Sequence, residues 1–425
     1  MKQTDGDGSP GIVFKNATVL TMDDHKVLQN CDVRCRDGII TETGQGLPAD
    51  RDRVIDVSGK YIMPGLIDGH VHFDQDYMGI MFLAAGVTSV RNMRGYAVHE
   101  DRIRRIREGK LEGPYIESTG PIFDGEDPNI PEDDNWIVRT FEDVEKGIAY
   151  TKARGFRFMK TYPSLRPDVY RYLMRRCADE DLPVSGHMTK TIGHEELADL
   201  GYYCCEHSSS LPSADEVIRY CAKAGMWYCP TQLVCETLPD YVWNGKRLED
   251  LEKWDALPLC VQTEWLRRNE VISESYRKQN IRPDIRVIIN RGRVFMEHSD
   301  LVIAGSDCAY PGIIPGFSLW TELEKLVSLY GMSNEEALLS ATARPARCMK
   351  LAGRKGRIAA GMDADLIILK ENPLADIRCI SSVETVVRDG KVYSQDHLQK
   401  ELEKIHKLTA AEEPVFGTDP EGASF

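Results

Sequence analysis

Tyr61-Ile62-Met63-Pro64-Gly65-Leu66-Ile67-Asp68-Gly69-His70-Val71-His72 is the stretch on which the fold turns. An apolar run leaving Pro64-Gly65 reads as a strand. Because side chains alternate along a strand with a period of two, His70 and His72 project to one side of it. Two imidazoles can then face one ion, and neutral imidazole suits zinc and related divalent metals. Ten histidines in a chain of this length produce such a pair by chance often enough that it needs partners elsewhere.

At 425 residues the chain exceeds an ordinary single core, and one α/β barrel plus a smaller domain fits it. Hydrophobic residues at 42% and charged residues at 28% describe a globular protein. No apolar run is long enough to span a bilayer, and the polar start, Met1 to Pro10, lacks a signal-peptide core, so a cytoplasmic location is expected. The twelve cysteines are scattered, mostly in apolar segments, and read as reduced core residues. Cys31 and Cys35 are spaced like half a zinc site, but no matching pair follows, so they too read as structural. A net charge of −14 disfavours a nucleic-acid partner, and nothing resembles a basic membrane anchor.

Residues 11–60 hold short β-like runs separated by Gly and Asp turns, and similar runs return at 363–369 and 383–393. Neither end has strands enough to stand alone, so residues 1–60 and 355–400 are expected to pair into one discontinuous β-sandwich domain. Between them, residues 61–354 alternate apolar runs with helical stretches. Candidate strands fall at 61–67, 86–91, 114–118, 155–160, 183–187, 202–206, 226–231 and 301–306. Eight such βα units predict a TIM (β/α)8 barrel with its site where the strands end. Some 70 residues, 232–300, separate the last two strands, and an excursion at a barrel mouth reads either as a substrate lid or as plain helical structure. Residues 401–425 read as a polar helix and a flexible tail.

The polar residues at these strand ends form a set: His70 and His72, Lys160, His187, His207 and Asp307. All six are expected at one mouth, and together they are far more specific than any one of them. Read without its company, Lys160 is merely a surface lysine.

With these residues in view, the chain resembles the amidohydrolase superfamily, in its branch of imidazolonepropionases and prolidase-like metal-dependent dipeptidases. The likeness spans nearly the whole chain. Residues 64–72 match the opening PGLIDxHxH, and Gly356 to Leu366, followed by Asn372-Pro373-Leu374, match the closing hallmark. Ala304 to Asp307 and Ala341 to Ala346 are similar to family segments as well. The resemblance implies a barrel with a composite sandwich. It implies His70, His72 and Asp307 as ligands of a buried metal, His187 and His207 as ligands of a more exposed one, and Lys160 as the bridge between them. A desolvated lysine of lowered pKa can add carbon dioxide and become an anionic carbamate. Two divalent ions, zinc foremost, sharing a water bring its pKa towards neutrality, so a metal-bridging hydroxide is the expected nucleophile, with Asp307 passing its proton to the leaving nitrogen.

Deaminases of this superfamily place a glutamate three residues after the fifth-strand histidine, where this chain has Lys190. Deamination is thereby disfavoured, and Lys160 points to the two-metal branch. Hydrolysis of the amide of a small molecule, such as a dipeptide or N-acyl amino acid, is the leading expectation. A lactam hydrolase like imidazolonepropionase is the alternative, with a deaminase or a catalytically silent scaffold behind it. For substrate contacts, Tyr162 offers a hydroxyl on the side of Lys160 and Arg91 a guanidinium for an acidic group, with packing and an internal ion pair as the competing readings; Gln232 is a weaker candidate. The expected partners are a small-molecule substrate and other copies of the chain.

Overall fold

Gly65 divides the opening stretch between two sheets. In the computed structural model, which describes residues 10–49, 51–126, 135–308 and 310–409, Tyr61–Pro64 belongs to an outer sheet and Leu66–Val71 is the first barrel strand. The single strand expected at 61–67 is thus two. The crossing needs a glycine, because a Cβ at position 65 would lie 2.2 Å from the Thr88 hydroxyl of the next barrel strand.

The outer sheet joins both parts of the chain. Ile12–Leu20, Val27–Arg36 and Ile39–Gly44 form a meander, while Arg53–Asp56 and Tyr61–Pro64 lie parallel to the first of these. Leu366–Leu369 pairs antiparallel with Tyr61–Pro64, Ile367 opposite Met63, and carries Val383–Arg388 and Lys391–Ser394 beyond it. Ile39 also bridges Asp363, so the sheet curls around a core containing Phe14, Val19, Val33, Ile62, Leu366 and Val387. All twelve cysteines are unpaired, and Cys31 and Cys35 are buried in this apolar core.

Seven parallel strands follow one another around the barrel: Leu66–Val71, Val87–Asn92, Tyr115–Asp124, Phe158–Thr161, Val184–Gly186, Cys204–Glu206 and Trp227–Cys229. All but a few of their residues are buried, as befits strands covered on both faces. Residues 301–308 take the eighth place through single bridges, Tyr228 to Val302 on one side and Val71 to Cys308 on the other, instead of the full strand expected at 301–306. The segment presses so closely on its neighbours that a Cβ at Gly69 would lie 2.7 Å from the Ala304 carbonyl and one at Gly305 2.5 Å from Cys229 Sγ. Asp307 takes the left-handed region, at φ 61°, just before the bridge at Cys308, which interrupts the ladder.

The long excursion is partly ordinary barrel. Helix Ile285–Met296 packs on helix Asp215–Lys223, and Phe295 sits 4.9 Å from the Tyr228 ring. Ahead of it come short helical turns and helix Leu259–Gln279. The last helix begins at Gln395, before the position expected, and is not polar all round: Leu398, Leu402 and Ile405 are buried against helix Met78–Ala84 and the outer sheet. The tail at 410–425 lies outside the described residues. No described helix is long and apolar enough to cross a membrane.

Candidate metal and active site

At the C-terminal rim of the barrel, Asp307 gathers the histidines. Its Oδ1 lies 3.3 Å from both His70 Nε2 and His72 Nε2, and its Oδ2 3.5 Å from His207 Nδ1. The His187 ring lies 4.3 Å from that of His207, and the Tyr162 ring 4.4 Å from His187 on the other side. Lys160 is buried below, its ammonium 5.7 Å from the Tyr162 ring centre and close enough to depress protonation of His70, His187 and His207. The six residues predicted from the sequence are therefore brought together.

Backbone geometry aims these groups. His207 and Asp307 adopt left-handed conformations at φ 72° and 61°, and Thr231, whose hydroxyl lies 2.7 Å from His207 Nδ1, does so at 42°. Strain of this kind persists where surrounding structure enforces it, commonly at functional sites. His187 follows Gly186, where φ is 140° and a Cβ would meet the Thr161 carbonyl at 2.1 Å.

The donors fit a cation. Among the described residues, His70 Nε2, His72 Nδ1 and His187 Nδ1 are buried nitrogens without hydrogen-bond partners, a costly state unless something else binds them. Burial, then the charge of Lys160, draws the pKa of His70 down to about 4 and that of His187 to about 3, so both imidazoles are neutral and available as ligands. Burial lowers the Lys160 pKa as well. Burial alone would raise the Asp307 carboxyl, yet His70, His72 and Lys160 outweigh it and hold the group ionised.

Sequence reasoning missed Glu206. It has no exposed surface, lies 2.8 Å from His70 Nδ1 and accepts from Arg91 at 2.6 Å. Arg91, assisted by His70 and Lys160, overcomes the upward push of burial and holds the carboxyl at about 2. An ionised carboxylate only accepts, so His70 Nδ1 carries the proton and Nε2 is left with its lone pair facing Asp307. This is the outer carboxylate that commonly orients a metal-binding histidine. An acidic residue inside the buried run Cys204-Cys205-Glu206 was the available signal.

Two of the residues weighed as substrate contacts are engaged within the fold, Arg91 in the internal ion pair that was its competing reading. Arg91 is fully buried and committed to Glu206 and, through Nε at 2.6 Å, to the Gly69 carbonyl. Gln232 is also fully buried, giving its amide to Glu236 at 2.9 Å and accepting from Tyr330. Tyr162 remains half-buried beside His187.

Beneath Thr231, the N–H groups of Gln232 and Leu233 donate to the buried Glu322 carboxyl, each at 2.8 Å. Burial pushes that carboxyl up from 4.5 to about 7 despite these donors. Its neutral form is thus favoured in the fold, a contribution complete below pH 4.5 and lost as pH rises through about 7. Glu322→Gln cannot ionise, so its thermal midpoint relative to wild type is expected to rise over this interval. A difference that stays flat between pH 4.5 and about 8 would place the titration elsewhere.

Residues 61–393 match the amidohydrolase family. The chain belongs to the amidohydrolase family. Ochratoxinase of Aspergillus niger is 23% identical over 397 residues, covering 78% of this chain and 75% of its own. A solved Xaa-Pro dipeptidase with methionine bound in its active site superposes with a TM-score of 0.72 at 20% identity, over 90% of this chain and all of its own. Bottromycin amidohydrolase does so with a TM-score of 0.75 at 19% identity, over 96% and 95%. These structures share the fold, and the family makes the chain a hydrolase of carbon–nitrogen bonds, generally metal-dependent.

Proposed function

We propose that this amidohydrolase cleaves the amide of a small molecule, such as a dipeptide or an N-acyl amino acid, with two divalent metals, most simply zinc. The observation that carries the reading is Asp307, a carboxylate within 3.5 Å of three imidazoles at one barrel mouth. His70, His72 and Asp307 would hold one ion and His187 and His207 the other, with Lys160 between them as a carbamate. Depressed basicity of the buried Lys160 amine supports its reaction with carbon dioxide, since the free amine is the nucleophile. When bound, such metals supply an activated water and polarise the scissile carbonyl.

The chain's own groups do the rest. Asp307 is ionised and 16% exposed, so it can take the proton of the attacking water and deliver it to the departing nitrogen. Tyr162, beside His187, offers a phenol to the oxygen on which charge develops. Glu206 keeps the His70 ring in one tautomer throughout. Twelve unpaired thiols suit a reducing compartment such as the cytoplasm.

Elemental analysis of protein produced with zinc and bicarbonate tests the reading. Two metals per chain are expected, with fewer in Lys160→Ala, and activity towards amides should vanish on chelation and return with zinc. One metal per chain, unaltered by Lys160→Ala, would favour the lactam hydrolase.

A further inference from the structure

Thr231 stands at the head of helix Gln232–Leu238, where a threonine ordinarily turns its hydroxyl on the first N–H groups of its own helix. Here it makes no such bond. A capping residue takes the extended region, whereas Thr231 lies in the left-handed one, at φ 42° and ψ 50°, an outlier for a β-branched residue. Its buried hydroxyl lies 2.7 Å from His207 Nδ1 instead. Two backbone bonds keep the pair in register: the His207 N–H donates to the Cys229 carbonyl at 2.8 Å, and the Ser208 N–H to that of Pro230 at 2.9 Å.

Glu322, on helix Ser318–Ser328, does the capping in its place. One carboxyl oxygen accepts from the Gln232 N–H and the other from the Leu233 N–H. The side chain has no exposed surface, and among the described residues no ion pair holds it, Lys325 of the same helix being taken by Glu236 at 2.5 Å. A buried carboxyl is costly without a cation, and this one is engaged by the two N–H groups that follow Thr231. The strained turn is thereby fixed from outside, and the Thr231 hydroxyl is left for His207.

We infer that Glu322 and Thr231 are positioning residues for His207: Glu322 holds the turn, and the Thr231 hydroxyl accepts the Nδ1 proton of the ring, so that only Nε2 is open to a metal. The proton belongs on Nδ1 because the ionised Asp307 carboxylate, which can only accept, also lies 3.5 Å from that nitrogen. Outer contacts of this kind fix the orientation of a ligating ring and with it the metal affinity. His207 thus matches His70, whose Nδ1 is held by Glu206. The inference deepens the metal-site reading above and rests on it for its functional part, although the tautomer does not depend on that reading.

Nitrogen-15 NMR of the imidazoles in the metal-free protein reads the tautomer, with His207→Gln identifying the signal. Burial foremost, then His187, His70 and Lys160, keep this ring neutral at neutral pH. Wild type should carry the proton on Nδ1. Thr231→Val, nearly equal in shape, should lose that preference and hold zinc about 10–100-fold less tightly in competition with a chelator. Thr231→Ser should recover most of both. Glu322→Gln, which turns an amide donor on one of the two N–H groups, should move tautomer and zinc affinity in the same direction, while Glu236→Gln, on the helix that Thr231 heads, should alter neither. A wild-type proton on Nε2, or a Thr231→Val protein that keeps the wild-type tautomer or zinc affinity, would overturn the assignment. A Glu322→Gln protein like wild type, or an equal effect of Glu236→Gln, would remove Glu322 from it. Should Glu322→Gln not fold, Glu322→Asp, a methylene too short to span both N–H groups, takes its place. If wild type binds no zinc, the metal reading fails, and the tautomers of wild type, Thr231→Val and Thr231→Ser still decide whether Thr231 sets the ring.

Discussion

Glu206→Ala is expected to destabilise the metal-free protein by about 3–5 kcal/mol, since removing one partner of a buried pair leaves the other charge uncompensated. Arg91 has no solvent to turn to: it is fully buried, and among the described residues its remaining hydrogen-bond acceptors are the Gly69 carbonyl and the weak sulfur acceptors Cys204 and Cys348. Denaturant unfolding measures the loss. Metal affinity should also fall, by about 10–100-fold, because the His70 ring loses the acceptor that fixes its tautomer. The two effects can be separated. Glu206→Leu combined with Arg91→Met removes both charges and should recover most of the stability while metal affinity stays low. Recovery of both would reduce Glu206 to a counter-ion for Arg91, and loss of neither would remove it from the site.

That pair also marks where sequence reading stops. His70, His72, Lys160, His187, His207 and Asp307 were legible because parallel barrel strands all end at one rim, so residues far apart in the chain share an address fixed by topology. Glu206 and Arg91 lie 115 residues apart, and nothing local says that one neutralises the other. Arg91 could be read as a substrate contact or as half of an internal ion pair because its partner could not be seen, and Gln232 was open because its bonds to Tyr330 and Glu236 were equally hidden. The eighth strand was read from an apolar run whose composition is right, yet the close approach of Gly69 and Gly305 and the turn at Asp307 reduce it to bridges. Gly65 carried the break between the two sheets, a role that depends on the distant Thr88 hydroxyl.

Asp307→Asn is expected to lower kcat by about 10²–10⁴-fold, the usual contribution of a positioned acid–base group, while leaving the fold intact. Asparagine is the informative replacement because position 307 sits at φ 61°, a conformation that Asn tolerates better than Ala does. It keeps an oxygen to face His70 and His72 but cannot accept and return a proton as the carboxylate can. Asp307 contacts the imidazoles attributed to the metals, so a fall in kcat alone has two explanations, lost metal and lost proton transfer. Metal content measured on the same preparation distinguishes them. A variant that retains the wild-type metal content yet loses at least a hundredfold in kcat, with KM little changed, would assign proton transfer to Asp307. A variant that retains the wild-type metal content and keeps kcat within tenfold of wild type would move the proton to another group. Tyr162, half-buried beside His187, would be the next to test.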